Sequence, residues 1–381
     1  MAERSKVASL FCVGLSGLTL SDDDKRVLSR GVGGIVLFSR NVDTPEQVAR
    51  LIEEARGVAG NEVLACVDQE GGNVARLEKD FHRIPTMRAL GEVIAKDPDK
   101  LSLAYEVGQC LGQDLRGVGF DMDFAPVLDV DTNPDNPVIG DRSIGSDPKL
   151  VASVGQQLIA GLQSQRIIAC GKHFPGHGDT QQDSHFELPR LPHAMDRMEE
   201  IELYPFAHVV GEDANRGALA IMTAHVVFEA IHQELPGTLC PEVLTDMLRK
   251  KIAFEGLCIS DCMEMKAIAD GTLWDGTVGA CVRGIAAGLD MALVCHTHEV
   301  MHASIDAVES ALADGTLSDA RVTDALARLE RMRAFRRQQR EASITPFDPS
   351  EAFREFVESN SATGDDPTWK RWLDSIDRID R

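Results

Sequence analysis

The stretch "RIIACGKHFPGHGDTQQDSH" occupies residues 166–185. Its first half is an unbroken apolar run that ends in Lys172 and His173. Its second half is a loop of glycine, proline and ionisable side chains. A continuous apolar run, as opposed to an alternating one, suits a strand buried on both faces. The segment therefore reads as a buried strand that delivers charged groups at its C-terminal end.

The same pattern recurs along the chain. Similar runs are "VASLFCVGL" (7–15), "GGIVLF" (33–38), "EVLACVD" (62–68), "FDMDFAPVLDV" (120–130), "ALAIMTAHV" (218–226), "GLCISD" (256–261) and "LDMALVCH" (289–296). Most are separated by segments of helical period. In "TPEQVARLIEEARGVA" (44–59), Val48, Leu51, Ile52 and Ala55 share one stripe behind a Thr44 N-cap. In "DPKLVASVGQQLIAGLQSQ" (147–165), Leu150, Val154, Leu158 and Leu162 do the same. A last helix is expected from Ser318 to about Gln338, with Val322, Leu326, Leu329 and Met332 inward. Eight strand–helix alternations predict an α/β fold, a (β/α)8 TIM-type barrel forming one domain over residues 1–340. A doubly wound open sheet is the alternative, but no GxGxxG follows an early strand.

Barrels place their chemistry at the C-terminal ends of the strands. The expected exits carry Asp68, Asp129, Lys172 with His173, His225, Asp261 and His296. Composition narrows the partners. A formal charge of −22 repels nucleic acid and anionic membrane surfaces. No run approaches the ~20 apolar residues needed to span a bilayer. The N-terminal "MAERSKVASLFCVGLSGLTLSDDDKR" reads as a strand and a capped helix, not a signal peptide. Nine cysteines without a CxxC pair read as reduced, buried thiols, which predicts a cytoplasmic protein.

Each motif has a functional and a structural reading. In "VDQEGGNVARL" (67–77), Asp68 and Arg76 suit hydroxyl recognition, or equally a salt bridge at a helix start. In "NPVIGDRSIGSDP" (136–148), Arg142 is either a ligand contact or a surface arginine. In "LCISDCMEMKAI" (257–268), Asp261 is a nucleophile, base or metal ligand, or else an N-cap. In the opening loop, Asp183 can fix the tautomer of His185 and leave its other ring nitrogen free for proton transfer. A metal at His173 and His177 would need a helix, which Pro175 and Gly176 break. No metal and no cofactor are expected.

Taken together, "KHFPGHGDTQQDSH", "VDQEGG", "GDRS", "MTAH" and "SDCMEMKAI" closely resemble the glycoside hydrolase family 3 β-N-acetylglucosaminidases, in particular the single-barrel bacterial type of peptidoglycan recycling. The resemblance runs from about residue 8 to about residue 335. It implies Asp261 as nucleophile, His185 as acid/base and Asp183 as its dyad partner. It implies sugar-binding roles for Asp68, Arg76, Arg142, Lys172 and His173, and a supporting role for His225. Asn73 departs from the family, which often carries arginine there. The implied reaction is retaining hydrolysis of a terminal β-linked N-acetylglucosamine from a carbohydrate substrate, with muropeptides as the expected class. Phosphorolysis, and less favourably a metal-dependent hydrolysis, are the alternatives. Family 3 β-glucosidases typically use a second α/β domain, for which 381 residues leave no room.

Residues 341–381 change character, with ten acidic and five basic residues. Trp369, Trp372, Leu373, Ile376 and Ile379 fall near helical spacing. A C-terminal extension that docks through this helix is expected, on its own barrel or on a partner chain in a homo-oligomer.

Overall fold

The computed structural model describes residues 6–60, 62–210, 217–341 and 347–360. Eight parallel strands close into a barrel in chain order. They are β1 (Phe11–Gly14), β2 (Gly34–Leu37), β3 (Leu64–Val67), β4 (Met122–Asp123), β5 (Ile168–Phe174), β6 (Ala220–Thr223), β7 (Leu257–Cys262) and β8 (Met291–Val294). Strand β8 returns to pair with β1. All eight expected runs supply a strand. The run 120–130 gives the shortest one, because Pro126 has no amide to donate. Beyond Asp123 the chain still follows β5, through the carbonyls of Ala125 and Pro126, which accept from Cys170 and Lys172 (2.9 and 3.1 Å).

Alternation along each strand sorts its side chains. Leu64 and Cys66 on β3, Ile168 and Cys170 on β5, and Leu257 and Ile259 on β7 join one apolar cluster inside the barrel. The intervening Ala65, Ala169 and Cys258 pack outward against the helices. Continuing each inward series by two residues reaches Asp68, Lys172 and Asp261. The period that fills the barrel therefore also brings these three groups to its C-terminal mouth.

The opposite mouth is closed by the helix Asp319–Glu341, whose Leu329 and Met332 enter the interior cluster. Leu326 of the expected stripe is only partly buried. Arg336 pairs with Asp121 (2.7 Å) just before β4, and Arg321 and Arg328 pair with Asp290 just before β8. The helix Pro45–Ala59 starts at Thr44, whose hydroxyl accepts from the Gln47 amide (3.2 Å). The helix Pro148–Ser164 starts at Asp147, and its buried face extends past the expected stripe to Val151 and Ile159. Gly108 and Gly161 let this helix meet Ser102–Val118 backbone to backbone; a Cβ at Gly161 would lie 2.2 Å from the Tyr105 carbonyl oxygen.

Of the C-terminal extension, residues 347–360 pack on the chain's own barrel. The Phe347 amide donates to Gln113 (2.9 Å), and Ser350 donates twice to Glu106. The helix Glu351–Asn360 buries Phe353, Phe356 and Val357 against Ser102–Val118. The expected Trp369–Ile379 helix lies outside the described residues. Phe353→Ala is expected to cost about 3–5 kcal/mol in urea denaturation, as for a fully buried phenylalanine. An unchanged midpoint would show that the segment is not docked in solution.

Candidate active site

The C-terminal mouth is organised around a buried ammonium. Lys172 Nζ lies 2.7 Å from Asp68 Oδ1 and 2.6 Å from Glu70 Oε1. Glu70 is itself buried, and Arg142 forks to it through Nε (2.9 Å) and an NH2 group (2.8 Å). Arg76 reaches the other oxygen of Asp68 (3.5 Å). Burial opposes the charges of Glu70, Lys172 and Arg142. The cations nonetheless hold Glu70 far below the ordinary glutamate range, and the carboxylates hold Lys172 and Arg142 above theirs. Glu70, Lys172 and Arg142 thus stay ionised across ordinary pH.

Arg142 is therefore not a surface arginine, and Asp68–Arg76 is not a helix-start pair. Arg76 follows a small hairpin, Gln69–Gly71 against Val74–Ala75, whose turn uses Gly71 and Gly72 at φ 91° and 57°. Glu70 received no role from the sequence. The signal was present: it stands two residues beyond Asp68, on the same face of an extended segment. Asn73 donates to Asp141 (2.9 Å) at the rim.

The second constellation surrounds β5 and β7. Asp129, wholly buried, accepts from the His173 ring at Nδ1 (2.6 Å) and from the amides of His173 and His177. Burial would raise its carboxyl, but His173 and the His177 amide hold it down. Asp129 thereby fixes the ring of His173, whose Nε2 faces Arg142 (3.5 Å). Asp261 lies within the last two residues of β7 and does not cap a helix; the helix that follows, Lys266–Ala269, begins after Met265. Its Oδ1 accepts from the Cys262 amide (2.7 Å). Burial works against its charge, yet His173, the Cys262 amide and Lys172 keep the carboxyl below the usual aspartate value. Among the described residues, Oδ2 accepts no protein hydrogen bond.

His225 is buried beside this strand. Its Nε2 lies 3.1 Å from the Cys262 carbonyl oxygen, which can only accept, so Nε2 carries the proton. Burial pushes the ring's pKa down and keeps it neutral, so Nδ1 accepts from Thr238 (2.8 Å). His225 thus clamps the peptide unit next to Asp261.

The loop after β5 has two unlike parts. Residues 174–178 are buried, and a Cβ at Gly178 would lie 1.9 Å from the Val130 carbonyl oxygen. His177 spans Thr180 (2.8 Å) and Ser184 (3.1 Å) with its two ring nitrogens, so neither is free for a metal. The exposed part begins beyond Thr180. There Asp183 Oδ1 accepts from the amide and from Nδ1 of His185, both at 2.8 Å. His185 is 60% exposed, with Nε2 unengaged among the described residues. The loop is tied to the β7 side by the Ala267 amide, which donates to the Ser184 carbonyl (3.2 Å). His296, at the β8 exit, contacts Phe38 and Arg40 at the rim.

Comparison with known proteins agrees with this architecture. Residues 4–332 match the glycosyl hydrolase family 3 N terminal domain. The chain belongs to glycosyl hydrolase family 3. A β-hexosaminidase of Thiobacillus denitrificans is 39% identical over 290 residues, 75% of this chain and 78% of that protein. A Pseudomonas aeruginosa β-hexosaminidase is 34% identical over 320 residues, 84% and 89% of the two chains. Among solved structures, a family 3 β-N-acetylglucosaminidase of a Paenibacillus species superposes with a TM-score of 0.85 at 38% identity, over 95% of this chain and 68% of that one. NagZ from Neisseria gonorrhoeae, in complex with N-trifluoroacetyl-D-glucosamine, gives 0.76 at 30% identity, over 93% and 98%.

The buried histidine generates a pH dependence. Burial, reinforced by His173, holds His177 down at about 4, against about 6.5 in an unfolded family 3 chain. Between those values the unfolded chain binds a proton that the folded chain refuses, so stability rises with pH across the window. The contribution is about 3 kcal/mol. Urea denaturation at pH 4.5, 5.5 and 6.5 is expected to show a shallower slope for His177→Gln than for the wild type. Parallel slopes would remove His177 from the account.

Proposed function

We propose that this family 3 chain is a retaining exo-β-N-acetylglucosaminidase. The observation that carries the reading is the division of labour between an ionised Asp261 at a strand end and an Asp183-backed His185 on the loop tied to the same strand's exit. The names of the relatives favour hydrolysis of N-acetylhexosaminides.

In this mechanism Asp261 Oδ2 attacks the anomeric carbon while protonated His185 Nε2 gives its proton to the leaving oxygen. Neutral His185 then takes a proton from water, which opens the glycosyl–Asp261 ester. Asp183 stabilises the charged ring in the first step and keeps Nδ1 protonated in the second. Asp68, Arg76, Arg142, Lys172 and His173 hold the sugar of the −1 site by its hydroxyl and acetamido groups. Glu70 and Asp129 orient two of these groups, Lys172 and His173. His225 fixes the backbone beside the nucleophile.

The catalytic unit is the barrel to about residue 340, with residues 341–381 as an extension. The substrate class is muropeptides of cell-wall recycling, and the location is the cytoplasm; nine free cysteines support a reducing compartment.

Asp261→Ala is expected to reduce turnover of 4-nitrophenyl β-N-acetylglucosaminide by about 10³-fold or more. Retained activity would overturn the nucleophile assignment. His185→Ala should lose least on aryl glycosides with good leaving groups, since these need no proton in the first step. A uniform loss across leaving groups would make His185 structural. Added phosphate should yield no N-acetylglucosamine 1-phosphate.

A further inference from the structure

The residue after the proposed nucleophile carries a thiol. The chain has nine free cysteines; eight are buried, and Cys262 alone is partly open to solvent. It pairs with Leu293 across β7 and β8, and Cys295 stands two residues further along. Leu293 and Cys295 both belong to the apolar cluster inside the barrel, and Cys262 packs against it, so the two thiols share one face of the sheet. They hydrogen-bond to each other, and Cys262 also hydrogen-bonds to the His296 ring.

The neighbours hold this corner in place. The Glu264 carboxylate accepts from the amides of Cys295 and His296 (both 2.7 Å) and of Thr297 (3.0 Å), which pins the end of β8 to the segment after β7. Arg40 donates to the Cys295 carbonyl (2.8 Å) and places a second nitrogen 3.5 Å from His296 Nδ1. The contact with Cys295, working against burial, lowers the Cys262 thiol to about 6, with help from His296 and the Glu264 amide. The same contact and burial push Cys295 up. One sulfur is thus a reactive thiolate, and the other stays protonated beside it. The sugar-transfer steps above use neither.

We propose that Cys262 and Cys295 are a peroxide-sensing thiol pair, which turns the enzyme off by forming a reversible disulfide. The Cys262 thiolate attacks one oxygen of hydrogen peroxide. The O–O bond breaks, the sulfur becomes a sulfenic acid, and the departing hydroxide takes up a proton as water. The Cys295 sulfur then attacks the Cys262 sulfur. An S–S bond replaces the S–O bond, and the second hydroxide leaves as water with the Cys295 proton. Two electrons pass from the thiols to the peroxide. The effect on activity runs through the backbone. The Cys262 amide donates to Asp261 Oδ1 (2.7 Å), and the Cys262 carbonyl accepts from His225 (3.1 Å). Drawing the Cys262 sulfur onto Cys295 shifts the peptide unit that holds the proposed nucleophile. In the reducing compartment proposed above such a disulfide is transient, and exchange with a dithiol resets it.

The test treats the full chain with hydrogen peroxide and follows free thiols, intact mass and turnover of 4-nitrophenyl β-N-acetylglucosaminide, each protein against its own untreated sample. The wild type is expected to lose two of its nine thiols and two hydrogens in mass. Its turnover should fall about tenfold or more, the scale of a displaced reacting group, and return with dithiothreitol. Cys295→Ser should instead gain oxygen at Cys262, and prolonged treatment should cost it turnover that dithiothreitol does not restore. Cys262→Ser should keep its remaining thiols and its own turnover. A wild type that keeps nine thiols, or a Cys262→Ser protein as sensitive to peroxide as the wild type, would overturn the pair. A disulfide that leaves turnover unchanged would overturn its link to Asp261. A wild type inactive before treatment would overturn the glycosidase reading, while thiol loss and mass would still decide the pair.

Discussion

The buried Lys172 ammonium, held between Asp68 and Glu70, is the constraint on which the site depends. A lone ammonium at that depth would lose several kcal/mol of solvation and would give up its proton. Two carboxylates keep it charged, and Arg142 compensates the second of them. Each member is tolerable only because the others are present. The cluster also ties the β3, β4 and β5 exits together, since Glu70, Arg142 and Lys172 come from the segments that follow or end those strands. Such an arrangement is poor as a source of stability and good as a means of fixing position. Its groups hold one another in position, so little reorganisation is left for a ligand that binds there.

Four histidines in one small region show how the environment assigns roles. His177 is buried between two hydroxyl groups and is kept neutral, so it can only shape the loop. His225 is buried against a carbonyl, which dictates its tautomer and makes it a backbone clamp. His173 is anchored at Nδ1 by a wholly buried aspartate and turns its other nitrogen toward the site. Only His185 combines an aspartate partner with an open nitrogen and access to solvent. Proton exchange with water needs all three properties, and the other histidines each lack at least one.

Much of this was legible in the sequence because the barrel imposes one rule eight times. Apolar runs gave the strands, and the residues at their ends gave Asp68, Lys172, His173, His225 and Asp261. The Asp-x-His spacing in the loop, and then the family motifs, added Asp183 and His185. What the sequence hid was partnership. Arg142 looked like a surface arginine because its partner Glu70 lies 72 residues away, on another loop. Asp129 could be placed at a strand exit, but its hold on His173 depends on a contact across 44 residues. The loop after β5 hid a contact of the same kind: at Gly178 the Val130 carbonyl leaves no space for a side chain. Composition reports which conformations a segment can adopt, not what it packs against.

The proposed use of a histidine dyad in place of a second carboxylate has an electrostatic logic. Asp68, Glu70, Asp129 and Asp261 already bring four carboxylates to the mouth of one barrel, on a chain with a formal charge of −22. A further carboxylate acting as general base would add to that field, and its own pKa would be raised by it. A histidine responds differently. In the proposed mechanism its protonated form, held by the Asp183 carboxylate, donates to the leaving group. Deprotonation then leaves a neutral base, which attracts no counter-charge and repels no anionic group of the substrate.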